Sequence, residues 1–267
     1  MAKIGLVAGY GNLPIAFAQS AKAKGDTVIG FGIKGMTDES LAGCVDRMHW
    51  VKWGGLQKAA LLVLMEGIRQ VVLLGKIKKT MAFDREGTFD DDARKALSGI
   101  GGKKDYAILR GVEGVIKKAG ITIIDPSPYL EALIPKPGTF TKRAPDEKEW
   151  ADINYGREVA RVMAGYDIGQ TVAVKDKTVI ALEAVEGTDE TLARAGSLVS
   201  GGFVVVKMAR PDQDMRFDVP LVGLETVEGL IKAGGTALAL EAGRTFLIDR
   251  AEIIKLADEK SVAIVIV

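Results

Sequence analysis

Short aliphatic runs alternate with helical patterns throughout the first 130 residues of the chain. The runs cover residues 4–8, 27–31, 70–74 and 121–124, and the helical patterns lie near residues 13–24, 56–68 and 104–119. Because these runs lack polar alternation, we expect both faces of each strand to be buried, as in a parallel sheet covered by helices. The alternation of strands with helices indicates βαβ units. The first half is therefore predicted to form a Rossmann-like, doubly wound domain around a parallel sheet.

A proline-rich segment follows this pattern. Residues 125–150 contain five of the eight prolines of the chain. Proline lacks a backbone donor and restricts the residue before it, so such a segment is typical of a connection between domains. The sequence thus predicts a Rossmann-like, nucleotide-side domain over residues 1–130, a linker over 131–145 and a C-terminal, catalytic α/β domain over 146–267.

Four helical patterns occupy the C-terminal half. The first runs from Asp146 to Ala164 and is expected to end at Gly165 as its C-cap. The others cover residues 188–197, 225–234 and 250–259. Thr188 and Asp249 stand where N-caps belong, so we expect each of them to cap the helix that follows it.

Two hairpin signals lie between these helices. The segment "TVAVKDKTVIALE" is predicted to turn at residues 176–177, and "TALALEAGRTFLID" at residues 242–243. Hairpins join antiparallel strands, whereas the apolar run that begins at Phe203 is typical of a strand buried on both faces. The second domain is therefore predicted to contain a mixed sheet.

Charge and composition exclude several functions. Lys and Arg total 36 against 35 Asp and Glu, so the net charge of +1 supplies no general field to attract nucleic acid. One cysteine and one histidine exclude an intramolecular disulfide and a Cys/His zinc cage within one chain, which favours a reducing, cytoplasmic setting. The apolar stretches are too short for a signal peptide or a membrane span, so any lipid would be met from the water side.

A glycine turn follows the first predicted strand. Gly9 and Gly11 precede a helix, and free amides at such a turn can hold a phosphate. The dinucleotide fingerprint is incomplete, because Pro14 stands near its third glycine and the second strand ends without a carboxylate. Both a structural turn and a nucleotide or phosphate site remain open.

Carboxylates cluster around a predicted strand-to-helix turn. Glu183, Glu186 and Asp189 surround Gly187 and Thr188 in "ALEAVEGTDETLAR". Such acids suit a hard cation such as Mg²⁺, and the first amides of a helix suit a phosphate. A plain helix cap with acids in its first turn would give the same pattern.

The segment "RPDQDMRFDVP", residues 210–220, carries charges of both signs directly after the run at Phe203. A solvated loop with ion pairs would explain the composition, but exposed pairs contribute only about 0–1 kcal/mol. A phosphate-ester hydrolase explains it better, since basic side chains stabilise a phosphoryl group and an aspartate holds a metal or orients water. Lys207, at the end of the strand, could join this group.

Five segments together resemble one enzyme family. They are "IGLVAGYGNLP" near the start, "DIGQ" at 167–170, "ALEAVEGTDETLAR" at 181–194, "KMARPDQDMRFDVPLVG" at 207–223 and "EAGRTFLID" at 241–249. In this order they look like the metal-dependent UDP-2,3-diacylglucosamine pyrophosphatases of lipid A biosynthesis, the LpxI type. The resemblance covers nearly the whole chain.

This resemblance implies hydrolysis of the diphosphate of UDP-2,3-diacylglucosamine to UMP and 2,3-diacylglucosamine 1-phosphate, with Mg²⁺ or another divalent cation as cofactor. It also implies two domains with a lipid-linked UDP-sugar between them and a homodimer. Contact with the inner face of the inner membrane is expected to be peripheral, and no nucleic acid is expected as a partner.

The resemblance also assigns roles to residues. The essential aspartate of the family, in its R-x-D-x-P motif, falls on Asp218, and Arg216 and Lys207 would balance anionic oxygens as further catalytic groups. The metal would be held by Asp218, Glu186 and Asp189. The substrate would be bound by Gly9, Gly11, Asn12, Asp105, Glu183, Gly187, Thr188 and Gln213; Asp105 alone keeps the acidic run of the family, beside Lys103 and Lys104.

Two other classes of protein remain as alternatives. An NAD(P)-dependent oxidoreductase would use the glycine turn for its cofactor, but gives no reason for the charges at residues 210–220. A non-enzymatic nucleotide- or lipid-binding module would keep the phosphate contacts without a metal.

Overall fold

A computed structural model describes residues 1–76, 113–114, 116–216 and 219–267. The chain divides into two compact units. The first comprises Met1–Glu131 together with Asp214–Asp218, and the second comprises Ala132–Gln213 together with Val219–Val267. The short segment 214–218 thus groups with the first unit, although the chain on either side of it belongs to the second.

The first unit contains the predicted parallel sheet. Its strands are β1 (Lys3–Ala8), β2 (Thr27–Ile33), β3 (Arg47–Val51), β4 (Gln70–Leu74) and β5 (Thr122–Ile123), in the order β3-β2-β1-β4-β5. Every pairing is parallel. Ile4, Leu6 and Phe31 have no exposed surface, as expected for strands covered on both sides. The strand order reverses between β1 and β4, which is where ligands bind in open α/β sheets.

Two helices of this unit begin where the sequence predicts them. They are α1 (Leu13–Ala23) and α2 (Leu56–Met65). Residues 113–114 and 116–118 are helical, in agreement with the end of the predicted helix at 104–119; its earlier part lies outside the described residues.

The second unit contains a mixed six-stranded sheet, as predicted. Its strands are β6 (Gly138–Thr139), β7 (Thr171–Lys175), β8 (Thr178–Leu182), β9 (Phe203–Lys207), β11 (Gly235–Leu240) and β13 (Ala263–Ile266), in the order β6-β13-β11-β9-β7-β8. The three central strands β13, β11 and β9 are parallel, and the outer ones are antiparallel to their neighbours. A separate parallel pair joins β10 (Leu221–Val222) to β12 (Phe246–Leu247).

Helices cover both faces of this mixed sheet. They are α3 (Glu147–Gly165), α4 (Thr188–Leu198), α5 (Leu224–Lys232) and α6 (Arg250–Glu259). On one face, Ile153 and Ala160 of α3 pack against Val204 and Val206 of β9. Residues of the other three helices pack with Val205 on the opposite face. None of the helices in the described ranges is long and apolar enough to cross a membrane.

One predicted hairpin is present and the other is not. Asp176 and Lys177 form the turn between β7 and β8, and both have the left-handed φ values, 51° and 54°, that a two-residue hairpin of this kind requires. The predicted hairpin at Ala242 and Gly243 is wrong, because β11 pairs with β9 and β13 whereas β12 pairs with β10.

The predicted helix caps also differ in part. Asp146 forms a capping box with Glu149 at the start of α3, but Gly165 is the last helical residue and Tyr166 is the C-cap. Gly187, not Thr188, is the N-cap of α4. Asp249 does stand at the N-cap of α6, without a hydrogen bond from its side chain.

Candidate functional site

Charged residues follow the carboxyl ends of the neighbouring strands β9 and β11. Lys207 ends β9, and Glu241 follows β11 and donates its backbone N–H to the carbonyl oxygen of Lys207 at 3.2 Å. Lys207 is 7% exposed and Arg210 is 6% exposed. Buried charges need partners, because removing an ion from water costs several kcal/mol (on the order of 5) if nothing replaces its hydration. These two side chains and their partners therefore mark a candidate site at this edge of the six-stranded sheet.

The ammonium of Lys207 contacts three acceptors. Its Nζ lies 3.0 Å from the hydroxyl oxygen of Thr171, 3.0 Å from that of Thr188 and 3.8 Å from Oε2 of Glu183. These acceptors come from the start of β7, the start of α4 and the residue after β8. The lysine thus joins three elements of the second unit.

Glu183 is held ionised by the same group. Its Oε1 accepts from the hydroxyl of Thr188 at 2.9 Å, and its Oε2 accepts from the backbone N–H of Gln170 at 3.2 Å. Burial raises the pKa of this carboxyl, but the charge of Lys207 and the hydrogen bonds of Thr171, Thr188 and Gln170 outweigh burial and lower it overall. A side chain at Gly169 would collide with the carbonyl oxygen of Glu183, so only glycine fits there.

Arg210 is fixed by an ion pair and by its own carbonyl. Its Nη1 lies 2.6 Å from Oδ1 of Asp167, which occupies a left-handed backbone position with φ 57°. Arg244 donates through Nη2 to the carbonyl oxygens of Arg210, at 2.5 Å, and of Pro211, at 3.1 Å. The chain that leaves β9 is therefore tied to the segment that follows β11.

A second tie runs through Glu241, whose Oε2 accepts from the backbone N–H of Ala209 at 2.7 Å. Oε1 of Gln170 is buried and has no hydrogen-bond partner within the described ranges. Five side chains of this region were given no role from the sequence, although they lie in segments that carry the family resemblance. They are Asp167, Gln170, Arg210, Glu241 and Arg244.

Two of the three acids predicted to bind a metal, Glu186 and Asp189, lie in the described part of the chain. Glu186 is exposed and pairs with Arg194 at 2.8 Å, and Asp189 is exposed. Asp218 lies outside the described residues. Within the part of the chain that the structure describes, no three Asp, Glu, His or Cys side chains are grouped so that they could hold a metal ion.

The glycine turn of the first unit has two parts. Gly9 donates its N–H to Leu74 at 2.8 Å, and a Cβ at Gly9 would lie 2.6 Å from the carbonyl oxygen of Lys76. Gly9 is thus required for close approach of two backbone segments. Gly11 has φ 102° and open space beside it, and the side chain of Asn12 makes no capping hydrogen bond to α1. Of these two glycines, Gly11 is the one with open space beside it among the described residues.

The charged segment after β9 is split between the two units. Gln213, in the second unit, accepts from the backbone N–H of Arg210 at 3.3 Å. Arg216, in the first unit, pairs with Asp214 at 2.6 Å and with Glu113 at 3.3 Å. Asp105, like Asp218, lies outside the described residues.

The chain is also similar to solved structures of biotin carboxylases at low identity. The complex of biotin carboxylase with β,γ-ATP from Campylobacter jejuni is 10% identical with a TM-score of 0.30, and the match covers 74% of this chain and 42% of that one. The biotin carboxylase subunit of pyruvate carboxylase is 13% identical with a TM-score of 0.28, over 75% and 42%. This chain spans less than half of either solved chain.

Sequence comparisons cover both halves of the chain. The LpxI N-terminal domain matches residues 3–133, and the LpxI C-terminal domain matches residues 136–265. A protein of Caulobacter vibrioides (strain ATCC 19089 / CIP 103742 / CB 15), UDP-2,3-diacylglucosamine pyrophosphatase LpxI, is 31% identical over 274 residues, which cover 97% of this chain and 95% of that protein. The chain belongs to the LpxI family.

Proposed function

We propose that this protein hydrolyses the diphosphate of UDP-2,3-diacylglucosamine and releases UMP and 2,3-diacylglucosamine 1-phosphate, a step of lipid A biosynthesis. The observation that carries the proposal is the match to a pyrophosphatase of that name over 97% of the chain. In the reaction, a water oxygen forms a bond to one phosphorus and the bridging P–O bond breaks. The protein's task is mainly to position the diphosphate and to stabilise its charge.

Arg244 is the cation best placed to face a diphosphate at the strand ends of the second unit. Its guanidinium donates to two carbonyl oxygens and forms no ion pair with any residue of the described ranges, so no described carboxylate offsets its charge. The buried acceptor of Gln170 would take a hydrogen bond from a donor on the substrate, such as a sugar hydroxyl. Gly11 and Asn12 would approach the uridine nucleotide at the carboxyl end of β1.

Asp218 is proposed as the essential acid, as the family motif implies. Arg216 would orient the segment that carries this aspartate, because its guanidinium is held by Asp214 and Glu113. A requirement for Mg²⁺ or another divalent cation is part of the proposal, but no step is assigned to a metal, since the described acids do not form a site for one. Homodimerisation and peripheral contact with the inner membrane are likewise proposed, and light scattering and vesicle flotation would test them.

The test is to incubate the purified protein with UDP-2,3-diacylglucosamine in H₂¹⁸O, with Mg²⁺ or with a chelator, and to measure UMP release. Release that exceeds the enzyme-free rate supports the hydrolase, and the ¹⁸O label in UMP or in the sugar phosphate identifies the phosphorus attacked. Loss of release with the chelator supports the cation requirement. Binding without release would instead favour a non-enzymatic module, and nicotinamide binding would favour an oxidoreductase.

A further inference from the structure

The buried ammonium of Lys207 is enclosed by protein acceptors. A lysine ammonium has three N–H donors, and the hydroxyls of Thr171 and Thr188 accept from two of them. The ammonium also forms an ion pair with Oε2 of Glu183, at 3.8 Å, which is longer than a hydrogen bond. The side chain of Lys207 is only 8% exposed. Because the ammonium is buried among these three side chains, a diphosphate oxygen could contact it only if one of them moved aside.

The hydroxyl of Thr188 is occupied in the same way. It donates its single proton to Oε1 of Glu183 and accepts from Nζ of Lys207. A hydroxyl has one proton to donate, so this proton is not available to a substrate oxygen. These bonds also explain why Thr188 does not cap α4, because its side chain is directed to Glu183, five residues earlier.

The charges of this group cancel. The ammonium of Lys207 and the carboxylate of Glu183 lie 3.8 Å apart, and their side chains are 8% and 12% exposed. A buried pair of opposite charges projects a weaker field than a single cation. The pair instead has a structural effect, because it holds the turn between β8 and α4, residues 183–188, against the end of β9.

We propose that Lys207 is a positioning residue: it acts through Glu183 and Thr188 to hold the β8–α4 turn and does not itself contact the substrate. This inference rests on the proposed function, because its effect is measured on release of UMP. It also removes the carboxyl of Glu183 and the hydroxyl of Thr188 from the groups that touch the diphosphate.

The decisive comparison is between Lys207→Met and the double variant Lys207→Met/Glu183→Gln. Lys207→Met leaves the buried carboxylate without its cation, so the turn shifts and kcat/KM falls by about 100-fold, the loss typical of a displacement of about 1 Å. The double variant removes both charges and keeps both shapes. We expect it to regain the melting temperature and to bring kcat/KM within about tenfold of the wild type.

Two further variants complete the design. Lys175→Met makes the same change at the other end of β7, where the ammonium donates to the carbonyl oxygen of Gly201, and it should leave kcat/KM unchanged. Thr188→Ser keeps the hydroxyl and should stay near the wild-type rate. Thr188→Val should lower kcat/KM and add no further loss to Lys207→Met, because both act through one turn.

The outcomes are distinct. A wild-type protein that turns over, with a double variant that is folded but as slow as Lys207→Met, would show that the ammonium itself contacts the substrate and would overturn the positioning role. Multiplying losses in Lys207→Met/Thr188→Val would overturn it as well. A folded wild-type protein that releases no UMP would overturn the proposed function instead.

Discussion

Arg216 holds Asp214 through two parallel hydrogen bonds, with Nε 2.9 Å from Oδ1 and Nη2 2.6 Å from Oδ2. Its Nη1 reaches Oε1 of Glu113 at 3.3 Å, and the side chain of this acid is only 5% exposed. The hydrogen bonds to Asp214 and the charges of Asp214 and Glu113 raise the pKa of the guanidinium above its ordinary value. The arginine is therefore a permanent cation that links Asp214 to Glu113 within the first unit.

We predict that Arg216→Lys lowers kcat/KM by roughly tenfold or more, because a lysine ammonium cannot form the two parallel hydrogen bonds by which a planar guanidinium binds a carboxylate. UMP release under steady-state conditions measures the effect, and the melting temperature should change little. Arg47→Lys is the matched control, since Arg47 is an exposed arginine of β3 that pairs with Glu66 at 2.8 Å. Equal rates for the two variants would exclude a role for the geometry of Arg216.

A second prediction concerns Asp218, on which the essential aspartate of the family falls. Asp218→Ala should abolish turnover and leave the fold and substrate binding largely intact. Single-turnover assays and titration calorimetry would measure the rate and the affinity. Asp212→Ala removes an exposed acid from the same charged stretch and should retain the wild-type rate. A near-normal rate for Asp218→Ala would remove this residue from the mechanism.

The strands were predictable because burial on both faces leaves a strong local signal. In β9, Val204 and Val206 pack with α3, whereas Phe203 and Val205 pack with the helices on the other face. No polar residue can alternate in such a strand, so a continuous apolar run results. The assignment of residues 1–130, 131–145 and 146–267 to domains and a linker stays a prediction.

The errors arise where non-local contacts override a local pattern. Gly243 has φ 70°, so the segment does turn there. No hairpin forms, because β11 pairs in parallel with β9 and β13 and does not pair with the strand that follows the turn. Thr188 has the chemistry of an N-cap, yet a tertiary partner, Lys207, and the carboxylate of Glu183 take its hydroxyl. Neither the pairing of β11 nor the contact with Lys207 can be read from the few residues around each turn.

The candidate site was predictable only in part for the same reason. Lys207, Glu183 and Thr188 were singled out individually from strand ends and turns, and the structure brings them together. Arg244 and Glu241 were missed, because their place depends on β11 lying beside β9 in the sheet. Such a neighbour relation is set by topology and is not visible in a short sequence window.

A third prediction tests the close contact at Gly9. In Gly9→Ala the new methyl would lie 2.6 Å from the carbonyl oxygen of Lys76, and the backbone cannot move aside without loss of strand pairing. We expect the free energy of unfolding to fall by about 1–3 kcal/mol, as for other overpacked sites. Denaturant unfolding measures this change. Gly43→Ala is the control, because a methyl there meets open space, and its stability should change by less than about 0.5 kcal/mol.

Glu66 is the C-cap of α2, and its carboxylate contacts three basic side chains from the five-stranded sheet of the first unit. His49 and Arg47, both in β3, lie 2.8 Å from its Oε1, and Lys3 of β1 lies 3.2 Å from its Oε2. The hydrogen bonds of His49, Arg47 and Lys3 lower the pKa of Glu66 from 4.5 to about 2. The carboxylate therefore ties the end of α2 to the sheet as long as it is ionised.

The last prediction follows from this lowered pKa. A carboxyl with a lower pKa in the folded state stabilises the fold fully above its ordinary pKa of 4.5, and this stability is lost as the pH falls towards about 2. The melting temperature of Glu66→Gln should thus lie below that of the wild type at neutral pH, and the difference should shrink steadily below 4.5. Thermal melts across this range measure it. Glu39→Gln, at an exposed acid of the same unit, is the control and should change the melting temperature little at neutral pH. A difference for Glu66→Gln that stays constant from neutral pH to about 2 would contradict the assigned titration.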